Sequence, residues 1–108
     1  MANCEFHHVG VPTSVAHDGE TYMEGAKLHI TDPTTHPFRI EFLRFEEGSP
    51  MPELLQNTPH AAFVVPSIDE ALKGQDVVLE PFDASDEVRC AFIKDGDALI
   101  ELMEMKTA

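Results

Sequence analysis

One short pattern occurs twice in this chain. HVGVPTS begins at His8 and HAAFVVPSID begins at His60, each placing an imidazole at the head of an apolar run that closes on Pro and Ser. Such runs read as buried strands, and a titratable group at the head of a buried strand calls for a reason. After the second run, SIDEALKG has Ser67 as N-cap, Glu70 three residues on to form a capping box, and Gly74 as a stop, which predicts a short helix. VVLEPF (77–82) and EVRCAFIK (87–94) are rich in strand formers, and Asp95-Gly96 is a hairpin turn leading into DALIELMEM (97–105). The second half therefore reads strand, helix, strand, strand, strand.

The first half overlays it with one piece missing. HHVGVP is a strand, ETYM a short one, AKLHIT (26–31) a third, DPTTHP a turn and FRIEFLRF (38–45) the last strand. Ile40-Glu41-Phe42-Leu43 matches Ile100-Glu101-Leu102-Met103. From His8 to Glu41 is 33 residues and from His60 to Glu101 is 41, a difference of 8, which is the length of the capped helix and its exit, Ile68 to Gln75. One motif used twice, with its helix reduced or absent in the first copy, accounts for this. Between the copies lies EEGSPMPELLQNTP, where Ser49 and Pro50 are placed to cap about one helical turn through Leu54 and Leu55. The expected organisation is a single domain over 1–108, with module one at about 5–47, a linker at about 48–59 and module two at about 60–106.

Charge and cysteine usage exclude several functions. With 20 acidic and 7 basic residues the net charge is -13, a surface that repels phosphate backbones and anionic lipid, so neither nucleic acid nor membrane is expected as a partner. No apolar run approaches the roughly 20 residues that span a bilayer. MANCEFHH has neither a basic start nor an apolar signal core, so a cytoplasmic location is expected. Cys4 and Cys90 make no disulfide framework and no Cys-X-X-Cys spacing, and both are expected to be reduced.

The duplication governs the polar residues. A carboxylate in the middle of an apolar strand should be expelled, since burying it unpaired costs several kcal/mol. Here it occurs at equivalent places in both copies. A two-fold arrangement of the strands brings His8, Glu41, His60 and Glu101 to a common surface, and two imidazoles with two carboxylates suit a divalent ion such as Fe, Mn, Co, Ni or Zn. The plain alternative is a pair of hydrogen-bonded core histidines and two glutamates on a solvated sheet face. His7 points away from His8, and His17, His29 and His36 fall in the shortened region. If Asp95-Gly96 is a two-residue turn, Cys90 faces Glu101 across the hairpin, as a substrate contact or as a small core residue. Arg39, two residues from Glu41 in the expected strand, reads as a salt-bridge partner for it or as a contact for an anionic substrate group.

HHVGVP, IEFLRF, TPHAAFVVPSIDEAL and VRCAFIKDGDALIELMEM resemble the vicinal oxygen chelate superfamily, which contains the glyoxalases, bleomycin-resistance proteins, extradiol dioxygenases and methylmalonyl-CoA epimerases. The resemblance covers nearly the whole chain and is stronger in the second half. It implies an α+β fold of two βαβββ-like modules forming a cup-shaped mixed sheet, with metal ligands on the first and last strand of each module. By position, those ligands are His8, Glu41, His60 and Glu101. Members without metal share the fold, so function must rest on the site.

Two functional readings follow. The first is a metal-dependent isomerase or lyase of glyoxalase or epimerase type, acting on a small substrate with adjacent oxygens, with Glu41 or Glu101 as general base. An extradiol dioxygenase needs only His8, His60 and Glu101, which leaves Glu41 unexplained. The second reading is a non-catalytic binding or sequestering protein of the bleomycin-resistance type, against which stands a composition of no Trp and one Tyr. The missing helix would bare Val9, Val11, Ile40 and Phe42 in the first half, so a homodimer covering that face is expected.

Overall fold

A computed structural model describes residues 4–106. The class is mixed α+β with few helices, in the order β1 (Glu5–Pro12), β2 (Thr21–Met23), β3 (Leu28–Ile30), β4 (Ile40–Phe45), α1 (Glu53–Asn57), β5 (His60–Val64), α2 (Ile68–Ala71), β6 (Asp76–Asp83), β7 (Val88–Asp95) and β8 (Ala98–Met105). Among the described residues, no helix is long and apolar enough to cross a membrane. The chain divides into two compact units. Among the described residues, one is His8–His60 and the other takes in 61–106 with 4–7.

In the His8–His60 unit the strands lie in the order β2-β3-β4-β1, antiparallel except for the parallel pair β1 and β4. Val9, Gly10, Val11 and Pro12 stand opposite Ile40, Glu41, Phe42 and Leu43. Alternation puts Leu28, Ile30, Leu43 and Phe45 on one face, where they pack with Met23, Ala26 and Met51 as a core. In the other unit the order is β5-β8-β7-β6, again with the first and last strands parallel. Ala61, Ala62, Phe63 and Val64 stand opposite Ile100, Glu101, Leu102 and Met103. This register reproduces the first one place for place. The bond that ends each parallel pair is also reproduced, Thr13 N to Leu43 O at 2.9 Å and Val65 N to Met103 O at 2.8 Å.

The helix is where the copies part. α2 is one turn long, begun by the Ser67 hydroxyl, which accepts from Glu70 N at 3.2 Å, and by the Glu104 carboxylate, which accepts from Ile68 N at 2.7 Å. It presses Ile68, which is fully buried, onto Val65, Ala91, Ile93 and Leu102. The first copy has no helix between β1 and β2. Its strand face is held instead by a polar network: Arg44 donates to both Glu20 oxygens at 2.7 and 3.0 Å, His29 Nε2 lies 3.2 Å from Glu46 Oε2, and the Tyr22 hydroxyl donates to Glu46 Oε1 at 2.9 Å. Tyr22, His29 and Arg44 form one row across β2, β3 and β4. The His17 ring stacks on Phe42 with centroids 4.1 Å apart, so the face expected to be bare is partly covered by this chain itself, and Val9, Val11, Ile40 and Phe42 are all half-buried.

Three sequence expectations shift. The last strand of the first copy begins at Ile40 rather than 38, because the chain turns through His36–Arg39: Arg39 N donates to His36 O at 3.1 Å, and Arg39 has a left-handed φ of 57°. Ser49 does not cap α1, whose N-cap is Pro52; its hydroxyl donates to Ala26 O at 2.6 Å, tying the linker to the first unit. The β7–β8 turn is centred on Gly96 and Asp97, one residue later than expected, with φ of 59° at Gly96.

The polar network has a pH signature. The Arg44 guanidinium holds the Glu20 carboxyl at about 2, down from an ordinary 4.5, against an opposing push from partial desolvation. A carboxyl whose folded pKa is depressed contributes stability that is complete above the unfolded value and lost as pH falls through the folded one. Thermal unfolding followed from pH 6 to pH 2 should therefore show a loss between about 4.5 and about 2 that Glu20→Gln flattens, the variant being the less stable at neutral pH.

Candidate metal centre

His8 sits in β1, Glu41 in β4 and His60 at the head of β5, and the His8–His60 unit brings all three together. His8 and His60 are 2% and 3% exposed, and the Glu41 side chain 14%. His8 Nε2 lies 3.5 Å from Glu41 Oε1, and the two imidazoles meet edge to face with centroids 5.8 Å apart. One potential ligand atom from each of the three lies within 4.8 Å of the others. Solvent does not reach His8 Nε2 or His60 Nδ1.

The parallel register explains how a carboxylate can lie there. Glu41 stands opposite Gly10, which presents no side chain beside it, and a methyl built on Gly10 would run into the Cε1 and Nε2 atoms of the His60 ring and come within 2.7 Å of Nδ1. The glycine therefore leaves the space that the His60 imidazole fills.

These residues fit a divalent cation. Zinc–nitrogen and zinc–oxygen bonds of about 2.1 Å at a tetrahedral angle place neighbouring ligand atoms about 3.4 Å apart. The His8–Glu41 separation of 3.5 Å matches that edge and lies at the far limit for a direct hydrogen bond. Two neutral imidazoles and a carboxylate are ligands of the borderline kind that first-row divalent ions accept.

Glu101 belongs to the other unit and holds the matching place there, opposite Ala62 and two residues along β5 from His60. It is 8% exposed, unusual burial for an acid at mid-strand. Cys90 does not face Glu101. With the turn one residue later, Cys90 pairs with Met103 while Phe92 stands opposite Glu101, and Cys90 packs with Ala62 and Met103 at 2% exposure. Arg39 precedes β4 and has a left-handed backbone, so strand alternation does not set it on the face of Glu41. His17 and His29 serve the network over β4, and His36 accepts from Phe38 N at 3.0 Å. Gly10 is the site residue that sequence reasoning passed over. Its signal was present: a small residue two places after the histidine in both copies, Gly10 after His8 and Ala62 after His60.

No protein-family model matches the chain. No curated protein matches it either. Among solved structures it is similar to the crystal structure of hypothetical protein BH1468 from Bacillus halodurans C-125, with a TM-score of 0.70 over 98% of this chain and 97% of that one at 16% identity. That likeness is one of fold.

The two thiols should differ sharply toward a water-soluble thiol reagent. Cys4 is exposed and should react within seconds, whereas Cys90 should react only as the protein unfolds. Two equally fast reactions would place Cys90 outside the core.

Proposed function

We propose that this chain is a metal-dependent isomerase or lyase of the vicinal oxygen chelate type, in which His8, Glu41, His60 and Glu101 together hold one divalent cation of the Fe, Mn, Co, Ni or Zn class. In this reading two βαβββ-like modules, the first without its helix, form one cup-shaped sheet. The observation that carries it is the gathering of His8, Glu41 and His60, with the repeated parallel register that sets Glu101 at the same place relative to His60 as Glu41 is to His8.

When bound, the cation would supply charge to polarise a substrate oxygen. His8 and His60, nearly inaccessible to solvent, fix the position of the centre. Glu41 is the more accessible acid, half-buried where Glu101 is buried, and would be the base that takes a proton from a substrate carbon, the C–H electron pair passing to the adjacent carbonyl. Of the seven basic residues, Arg44, Lys73, Arg89 and Lys106 are engaged with carboxylates, so a neutral or cationic small substrate suits the chain better than a phosphorylated one.

Elemental analysis of protein purified without chelator, then offered Mn, Fe, Co, Ni and Zn in turn, should find one equivalent of one of these. Glu101→Gln should weaken its retention by at least about tenfold, the scale on which disturbing a metal site acts. Wild-type protein that stays empty with all five would leave a non-catalytic binder of the bleomycin-resistance type.

A homodimer belongs to the same reading. Phe38 is 76% exposed, its ring 6.0 Å from His36, which is 6.1 Å from Phe42 on the face that lacks a helix. Sedimentation at micromolar concentration should give a dimer, and Phe38→Asp should shift it toward monomer; a monodisperse wild-type monomer would remove the claim.

A further inference from the structure

Gly10 lies in the middle of a strand, where glycine is a poor choice unless something must come close to the backbone. Its conformation does not call for glycine, since it is not among the residues with positive φ. What calls for it is the His60 ring, three of whose atoms occupy the space a β-carbon would take. The equivalent place in the other copy, Ala62 opposite Glu101, carries a fully buried methyl, so the fold at this register does not of itself forbid a side chain.

We propose that Gly10 is a positioning residue for the metal centre: its bare Cα seats the His60 imidazole and so sets the direction in which that ring offers a nitrogen. The role rests on the metal reading given above. β1 is held to β4 by the backbone pairing from Val9 to Pro12, so it cannot retreat from an added methyl without breaking that pairing. The imidazole, hinged on two torsions, is the part that yields. It would be displaced from Glu41 and His8 while the strands stay in place, leaving His8 as the nitrogen donor still set for a cation.

Cobalt(II) titration of the full chain, read by its visible absorption, tests this together with thermal unfolding of the metal-free protein. Gly10→Ala should weaken cobalt binding about 10- to 100-fold and change the absorption, as loss of support for a ligand does elsewhere. His60→Ala should do the same, and the Gly10→Ala/His60→Ala double variant should bind no worse than His60→Ala alone, within about twofold, because the methyl then has no ring to displace. For the same reason, any lowering of the unfolding temperature by Gly10→Ala should disappear in the His60→Ala background.

Affinity of Gly10→Ala within about twofold of wild type would overturn the proposal, as would a loss that persists in full when His60 is already alanine. If Gly10→Ala does not fold, the double variant must, and failure of both would equally overturn it. Wild-type protein that takes up no cobalt would remove the metal reading itself and this role with it, a result distinct from a Gly10→Ala variant that binds like wild type.

Discussion

The parallel register between first and last strand is the constraint from which the rest of each unit follows. Side chains alternate along a strand, so a slip of one residue between β1 and β4 would carry Glu41 off its face and bring Phe42 onto it. The register is held at both ends. Val9 N donates to Arg39 O at 2.9 Å where pairing starts, and Thr13 N donates to Leu43 O where it stops. Arg39, in its left-handed conformation, marks the residue before which pairing cannot extend. Arg39, read from the sequence as a salt-bridge partner for Glu41 or as a contact for an anionic substrate group, marks this boundary through its backbone.

Given that register, the polar groups have little freedom. Placing His8, His60 and Glu41 close together within a protein interior takes them from water, at several kcal/mol for an ionised member, in a fold whose whole margin is of order 5–15 kcal/mol. The His8–Glu41 separation of 3.5 Å offsets little of that by direct hydrogen bonding. In the metal reading proposed above, a cation that neutralises the carboxylate and accepts both imidazoles would offset that cost.

What could be read from the sequence was what repeats or alternates. The twin His-to-Glu spacings, the Ser67 cap and the five elements of the second half were legible because periodicity and capping are local. The turn between β7 and β8 was misplaced by one residue because Asp-Gly and Gly-Asp both make tight hairpins; the packing of Cys90 on Met103 and Ala62 favours the second, and packing is not local. The stacking of His17 on Phe42 and the hydroxyl bond from Ser49 to Ala26 join residues 25 and 23 positions apart, with no pattern in the chain to announce them. Gly10 was overlooked for the opposite reason, since its significance lies in atoms it does not have.

The substitution of a short polar network for a helix carries a consequence for chain entropy. Between the paired positions Val9 and Ile40 lie 31 steps of chain, and between Ala61 and Ile100 lie 39. Closing the shorter excursion is easier by only about 0.2 kcal/mol, because closure entropy grows with the logarithm of length. The connection from Thr13 to Glu20 can thus vary in length at little entropic cost, provided that Glu20 still reaches Arg44 and His17 still stacks on Phe42. The strand pairing that aims Glu41 therefore closes about as readily without a helix in its connection as the pairing of β5 with β8 does with one.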